Sequence, residues 1–582
     1  MKLKTSFFNP TVFKKNLTRF APSWILYSLC LLMGLLGILD GNTDYVRSLN
    51  AADSIQLMAV ANFAYALLNA QLLFGDMYNS RLCNALHAMP LRRECWFCTN
   101  AASGLTFAAV PNVVFSLVLL PILGQGWSVA LWWLLAVQLQ YLFFFGAAVF
   151  SAFLAGSRFA QVLVYGLFNF LSILCYWFAA ALFEPLMYGV SVDVMPFVRW
   201  CPVAEIAGRT SGFIDIEPIE NGAGINFGAI VQIQLTGNWG YLVLCAVIGM
   251  VLLGVGLLIY RKRNLETAGD FIAVKAVEPV FLVLFTLAVG AFFQLCGRVF
   301  DSGLEYFFLA LGLVVGYFAG RMLLKRTLRV FQPKAFLGLG GIAAGVVLCL
   351  VLVIVDAFGI VHYVPEAEDV ESIVLQGNLY RSMGDFELTE DEDIAAFLEI
   401  HRYAINNKPE GWTGWNSYSG CIDDVYYTAL HLDYQLKDGS TLERTYTIPV
   451  ESEAGQVLKK YYTSVEYVLG VQEDGLQELA DRIYSVYIDQ KFYDADTLPA
   501  LFEGDAMYDL LCAVAADCEA GNMVQSWSYH QDESSQVYIE LDVNLGREEF
   551  FWVGFYVFDS CENTLNWLDS HGFDIEGAMY GG

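Results

Sequence analysis

Nine separate apolar runs, at about 22–39, 55–74, 103–123, 130–154, 160–183, 239–260, 279–298, 304–324 and 336–358, constrain this chain more than any other feature. Each is close to the roughly 20 residues that carry a helix across the hydrocarbon core of a bilayer. Inside that core only helices or closed barrels satisfy every backbone N–H and C=O. Hydrophobic residues make up 56% of the 582 and charged residues only 16%, a balance that fits a polytopic helix bundle rather than a soluble protein. The first run starts late and lacks a small-residue cleavage site, so it is expected to stay as an anchor.

Cations set the orientation. Lys14, Lys15 and Arg19 precede span one. Arg81, Arg92 and Arg93 lie between spans two and three, and Arg158 between four and five. Arg261, Lys262 and Arg263 follow span six, and Arg321, Lys325, Arg326, Arg329 and Lys334 separate eight from nine. With nine spans all of these fall on one side, which the positive-inside rule makes cytoplasmic. Everything after about residue 360 is then extracellular.

Residues 1–360 hold 22 Lys and Arg against 17 Asp and Glu, whereas 361–582 hold 10 against 43. The acidity of the chain therefore resides in its tail, where phosphate would be repelled and nucleic-acid binding is not expected. The tail is rich in Tyr, Trp, Phe, Val and Ile, unlike disordered acidic segments. Thr389-Glu390-Asp391-Glu392 matches a capping box before a helix over 391–404. Segments 425–435 and 441–450 read as a hairpin turning at Lys437-Asp438-Gly439, and 536–544 with 550–557 as a second; 453–469 and 506–520 read as helices. The expected organisation is a leading amphipathic helix over 1–20, a six-span core over 21–260 and three further spans over 261–358. A linker over 359–372 then leads to an acidic α+β domain over 373–582. The fold class is thus a mainly α membrane protein of about nine transmembrane helices followed by a soluble α+β domain.

No catalytic signature accompanies this layout. The chain contains no GxxxxGK[ST] phosphate loop, no HExxH and no GxSxG. His87, His362, His401, His431, His530 and His571 are scattered without ligand spacing, so no metal site is expected. Cys95-Trp96-Phe97-Cys98 enters a span on the reducing side and reads as small apolar residues one turn apart. Cys421, Cys512, Cys518 and Cys561 are even in number, but spacing does not establish pairing. The span interiors are nearly free of ionisable residues, which an ion-coupled transporter uses as its relay. Energy for any transport would come from another chain.

The segment Gly75–Glu94, GDMYNSRLCNALHAMPLRRE, lies between spans two and three. Tyr78, Leu82, Leu86 and Met89 recur at helical spacing, with Asp76, Ser80, Asn84 and His87 opposite. This spacing predicts a short helix across the cytoplasmic mouth whose polar side meets a soluble partner; a plain connector is the alternative.

Three stretches resemble ABC-2-type transporter permeases. NPTVFKKNLTRFAPSWILY (9–27) resembles their leading helix and first span. FGDMYNSR…LHAMPLRRE (74–94) resembles their second-to-third-span loop, with Met89 in place of the usual Leu. YRKRNLETAGDFIA (260–273) resembles the stretch after their sixth span, with Glu266, Ala268 and Gly269. The likeness covers about residues 1–335. The chain also resembles a multidrug-exporter-like branch of Gram-positive bacteria that adds an uncharacterised extracellular domain at the carboxyl end, whereas the ninth span and acidic tail lie outside the generic permease.

The resemblance implies a permease with no cofactor of its own. It would be driven by a separately encoded ABC ATPase carrying ATP and Mg, and paired with a second permease copy or paralogue in the lipid bilayer. The coupling helix would comprise Tyr78, Asn79, Ser80, Arg81, Leu82, Asn84, Leu86, His87, Met89 and Pro90, with Arg92, Arg93 and Glu94 after it. Asn69, Gln71, Asn169 and Tyr176 would line a pathway between spans two and five, although interhelical bonding is the competing role for each. Two other functional classes are left open: a membrane-anchored sensor binding extracellular cationic peptides through the acidic domain, and a membrane-embedded enzyme, which the lack of clustered Asp, His or Glu in the spans disfavours.

Overall fold

A computed structural model describes residues 7–88, 91–190, 194–210, 215–221, 224–234, 239–263, 269–300, 304–375, 386–409, 412, 419–422, 424–488, 491–494, 496–502, 504–524, 536–546 and 549–573. The chain divides into two compact units, one of residues 1–181 with 193–346 and the other of 182–192 with 347–582.

The first unit opens with α1 (Pro10–Arg19), α2 (Ala21–Leu39), α3 (Asp44–Phe74) and α4 (Ser80–Ala88). It continues with α5 (Arg93–Ile122), α6 (Trp127–Leu154), α7 (Arg158–Phe183), α8 (Met195–Arg199) and α9 (Pro202–Thr210). After the hairpin of β1 (Asp215–Asn221) and β2 (Gly224–Gln234) come α10 (Trp239–Lys262), α11 (Glu278–Phe300), α12 (Glu305–Lys325) and α13 (Pro333–Ile354). Among the described residues nine helices are long and apolar enough to cross a membrane: α2, α3, α5, α6, α7, α10, α11, α12 and α13. They match the nine apolar runs. α3 and α5 start well before their apolar runs, at Asp44 and Arg93, because a helix continues past its apolar stretch where polar side chains reach solvent.

Two devices pack these helices. Small residues let backbones touch: a Cβ on Gly146 of α6 would overlap the Gly249 carbonyl of α10, and one on Gly249 would crowd the α6 backbone at Leu142 and Phe143. Amides and hydroxyls also join α2, α3, α5 and α6 inside the bundle. The Tyr27 hydroxyl lies 3.0 Å from both Asn62 Oδ1 and Asn112 Oδ1. Ser23 donates to Asn69 Oδ1 (2.6 Å), while Asn69 Nδ2 donates to the Tyr141 hydroxyl (2.8 Å). In an apolar surround such bonds fix helix register, because their loss leaves bare polar atoms.

In the second unit, β3 (Val370–Leu375), β4 (Phe386–Leu388), α14 (Asp391–Asn406), β5 (Gly420–Ile422), β6 (Val425–Leu436) and β7 (Thr441–Pro449) come first. Then follow α15 (Glu453–Tyr462), α16 (Val465–Leu469), α17 (Leu476–Arg482), β8 (Ile483–Ile488), β9 (Lys491–Asp494) and α18 (Pro499–Phe502). The last elements are α19 (Ala506–Glu519), β10 (Gln536–Gly546), β11 (Glu549–Phe558) and α20 (Glu562–Ser570). One antiparallel sheet has the order β4-β3-β6-β5, with β7 also on β6; the other runs β11-β10-β8-β9. Leu430, Leu432 and Tyr434 alternate into the core from β6, and α14 adds Ile394, Phe397, Leu398 and His401 at helical spacing. Both sheets and their helices share one apolar core.

Both expected hairpins form, β6–β7 and β10–β11. Three local expectations are corrected. The residue capping α14 is Glu390 rather than Thr389, and its side chain makes no capping bond, so the expected Thr389–Glu392 capping box is out of register. The helix expected over 453–469 breaks where Ser464 caps α16 through the Tyr467 N–H. The expected linker 359–372 is partly built into the sheet: β3 begins at Val370, and the Asp369 carbonyl accepts from Lys437 N–H at 2.9 Å.

Candidate functional site

Asn79 opens α4, its side-chain oxygen accepting from the N–H of Arg81 (3.0 Å) and Leu82 (3.4 Å). Residues Gly75–Tyr78 form a separate 3₁₀ turn. Tyr78 and Leu82 therefore do not share one helical stripe, and Met89 and Pro90 lie outside the described residues. Cys83 is the fully buried residue of α4, and burial pushes its thiol pKa up. Leu86 and His87 are half-buried, whereas Ser80, Arg81, Leu82 and Asn84 are exposed.

His87 turns inward, contrary to its expected place on the outer polar side. Its Nδ1 is 2.7 Å from the Cys83 carbonyl and its Nε2 3.1 Å from the Tyr260 hydroxyl at the end of α10. Tyr78 is likewise an anchor, donating to Gln161 Oε1 of α7 at 2.7 Å. The Arg93 guanidinium reaches the carbonyls of Tyr260 (3.3 Å), Arg261 (3.3 Å) and Arg263 (3.2 Å), satisfying acceptors that a helix end leaves open. Glu94 pairs with Arg261 at 3.1 Å, and Arg92 stays exposed at the start of α5.

Three more segments converge here. Asn9, which caps α1, donates its N–H to Thr99 Oγ1 (3.0 Å), and Asn16 donates to Asn100 Oδ1 (2.7 Å) and Ser103 Oγ (3.1 Å), so α1 is bonded along α5. Arg19 lies 3.7 Å from Asp76 in the 3₁₀ turn. Beyond α10, Gly156 and Phe271 share a backbone bond of 3.1 Å and Leu154 and Ala273 one of 2.8 Å, which ties that segment to the α6–α7 connection. Arg263 is buried there with its guanidinium on the carbonyls of Ala152 and Phe153, and burial lowers its pKa. Glu266 and Ala268 lie outside the described residues. α4 is therefore fixed on its inner side, while Ser80, Arg81, Leu82 and Asn84 face outward. Among the described residues no cluster of His, Cys, Asp or Glu could hold a metal ion.

The four residues expected along a pathway do not come together. Asn69 is spent between α2 and α6. Gln71 donates to the Arg158 carbonyl at 3.1 Å. Asn169 and Tyr176, on α7, instead meet the α8–α9 segment: the Cys201 thiol donates to the Asn169 carbonyl (3.4 Å), and the Tyr176 and Phe197 rings are 5.6 Å apart. Asn169 is fully buried, and its side-chain Oδ1 has no hydrogen-bond partner among the described residues. Sequence reading missed α8 and α9 altogether, including the buried Glu205 paired with Arg209, whose guanidinium sits 4.8 Å from the Tyr241 ring. Gln161, Thr99 and Asn100 were also missed, and Tyr260 entered only as the first residue of the stretch 260–273; they lie within or at the ends of apolar stretches, where only their polar groups mark them.

No family model, no curated protein and no solved structure matches this chain.

Proposed function

We propose that this chain is the membrane-spanning permease subunit of an ATP-driven transporter of the ABC-2 type. It would export drugs, peptides or lipid-like substrates, coupled to a separately encoded ATPase. The observation that carries this reading is α4. Its inner side is bonded to α10 through His87, while Ser80, Arg81, Leu82 and Asn84 are left exposed. A helix held firmly on one side and open on the other can pass a partner's push to the helices beneath it. The contact set is accordingly Ser80, Arg81, Leu82 and Asn84, with Asn79, Tyr78, His87, Arg93 and Glu94 as anchors behind it.

The odd number of spans has support besides the cations. Residues 182–192, after the fifth apolar helix, belong to the same compact unit as the chain after the ninth. Those two points share a side of the membrane only if four spans, or another even number, lie between them. With the basic segments cytoplasmic, that side is extracellular.

The test is co-purification with the cognate ATPase. The pair Arg81→Glu with Leu82→Asp, both at exposed positions, should abolish it while leaving the permease folded. Retained binding would refute the coupling role.

A second reading, peptide binding by the acidic unit, is favoured by a groove of about 730 Å³ between α14 and α15. Glu392, Asp393 and Ala396 line it from α14, and Glu453, Val457 and Lys460 from α15, so three carboxylates face one ammonium group. Its test is titration with a short Lys- and Leu-containing peptide at rising salt. Binding that does not weaken with salt would count against it.

A further inference from the structure

The corner between α12 and α13, within the first unit, concentrates charge of one sign. From Tyr306 to Val355 the sequence holds five cations, Arg321, Lys325, Arg326, Arg329 and Lys334, and no Asp or Glu. Among the described residues none of the five is paired with a carboxylate. Other cations of this unit do have one: Arg19 lies beside Asp76, Arg47 beside Asp44 and Arg261 beside Glu94. Basic loops can set orientation without binding anything, so charge alone does not make a site.

The corner is also built to a definite shape. Val330 and Ala335 are fully buried against Tyr317 and Phe318, and the Phe318 ring lies 4.6 Å from that of Phe331 and 5.3 Å from that of Phe336. Val330 N–H donates to the Leu328 carbonyl (3.0 Å) and Ala335 N–H to the Gln332 carbonyl (2.7 Å). Arg321 stands where the two helices cross. Its Nη1 donates to the Tyr317 hydroxyl at 3.1 Å, and a Cβ on Gly338 of α13 would overlap that same hydroxyl. Its Nε is buried and has no hydrogen-bond partner among the described residues, and a charged donor withdrawn from water without an acceptor is costly. Lys325 stands one turn from Arg321 on α12, and Lys334 one turn from Gly338 on α13. Three cations thus border one crossing, and an acceptor is missing from it.

Apolar side chains surround these cations. Leu328 and Leu337 are 78% and 77% exposed, and Phe331 and Phe336 are more than half exposed. Cations that lack an acid, next to apolar groups that lack a cover, match the two ends of one molecule, a phosphodiester and an acyl chain. We infer that the α12–α13 corner is a binding site for an anionic phospholipid. Its phosphodiester sits among Arg321, Lys325 and Lys334, and an acyl chain runs along Phe336 and Leu337. Arg321 Nε–H then donates to a phosphate oxygen in a charge-assisted bond, which supplies the missing acceptor. The inference is independent of what the chain transports and of how it is driven.

Native mass spectrometry of the full-length protein tests it, with the protein released from micelles that hold equal amounts of phosphatidylglycerol and phosphatidylcholine. Wild type should retain phosphatidylglycerol over phosphatidylcholine, and Arg321→Gln with Lys334→Gln should lower that retention about tenfold or more. Lys14→Gln with Lys15→Gln, at exposed positions on α1, should leave it unchanged. Equal retention of the two lipids by wild type, or equal losses in the two double variants, would reduce the corner to diffuse surface charge and overturn the site. Displacement of phosphatidylglycerol by excess inorganic phosphate would assign the cations to a free anion and overturn the lipid. If Arg321→Gln does not fold, Lys325→Gln with Lys334→Gln, both at exposed positions, carries the same expectation. Unchanged lipid retention with loss of a co-purifying soluble protein would give the corner to that partner and refute the inference.

Discussion

His401 offers the sharpest quantitative prediction for the acidic unit. It is fully buried between two hydroxyls, with Nδ1 2.9 Å from Tyr434 and Nε2 2.8 Å from Tyr446. Burial, reinforced by the Arg444 and Arg402 guanidinium groups, holds its pKa down at about 3, against an ordinary 6.5. The folded state therefore keeps His401 neutral where an unfolded chain would protonate it. Between about pH 6.5 and pH 3 the unfolded state binds more protons, so stability falls as the pH drops through that window and levels off below it. At pH 5 the loss relative to pH 7.5 is about 2 kcal/mol, roughly thirtyfold in the opening constant. His401→Gln does not titrate. It should be less stable at pH 7.5 by about 1–3 kcal/mol, because hydrogen-bonded partners are disturbed, but its disadvantage should shrink by about 2 kcal/mol on going to pH 5. The many carboxylates, and His431, whose pKa burial also lowers, are common to both proteins and cancel in the difference. The assay is exchange of β6 and β7 amides in the full chain, corrected for the intrinsic pH dependence of exchange. Parallel stability curves for the two proteins would refute the reasoning.

Other outcomes follow from the same structure. Protease added to intact cells should remove the chain from about residue 361 onward; protection until the membrane is opened would contradict the extracellular placement. Gly249→Val places a branched side chain against the backbone of α6 and should destabilise that pair by about 1–3 kcal/mol, read as a lower melting temperature in detergent; an unchanged melt would mean α6 and α10 do not touch as described. Replacing Glu392 and Glu453 by Gln should weaken binding of a Lys-containing peptide about tenfold if the groove is its site, whereas equal binding would assign any affinity to diffuse charge.

The parts of this fold legible in the sequence are those with a local period. Nine apolar runs correspond to the nine long apolar helices among the described residues, each of the length a bilayer requires, and strand alternation marked both hairpins of the acidic unit. Contacts between distant segments were not legible. Tyr188 bonds a residue 259 positions away, and nothing in its neighbourhood announces that partner. α8 and α9 are too short and mixed for periodicity to find. In the α4 region helical spacing grouped His87 with the outward polar residues. The 3₁₀ turn at Gly75–Tyr78 resets the register, and the Tyr260 hydroxyl draws His87 inward. Spacing ranks the faces of a regular helix; it does not reveal a break, nor a tyrosine arriving from another helix.

The proposed coupling face is tested most directly by site-specific photo-crosslinking in cells that express the proposed ATPase partner. A crosslinker at Arg81 or Asn84 should capture a polypeptide bearing a phosphate-binding loop, and one in the segment 40–43 at the opposite end of α3 should not. Capture from 40–43 with none from Arg81 or Asn84 would contradict the account.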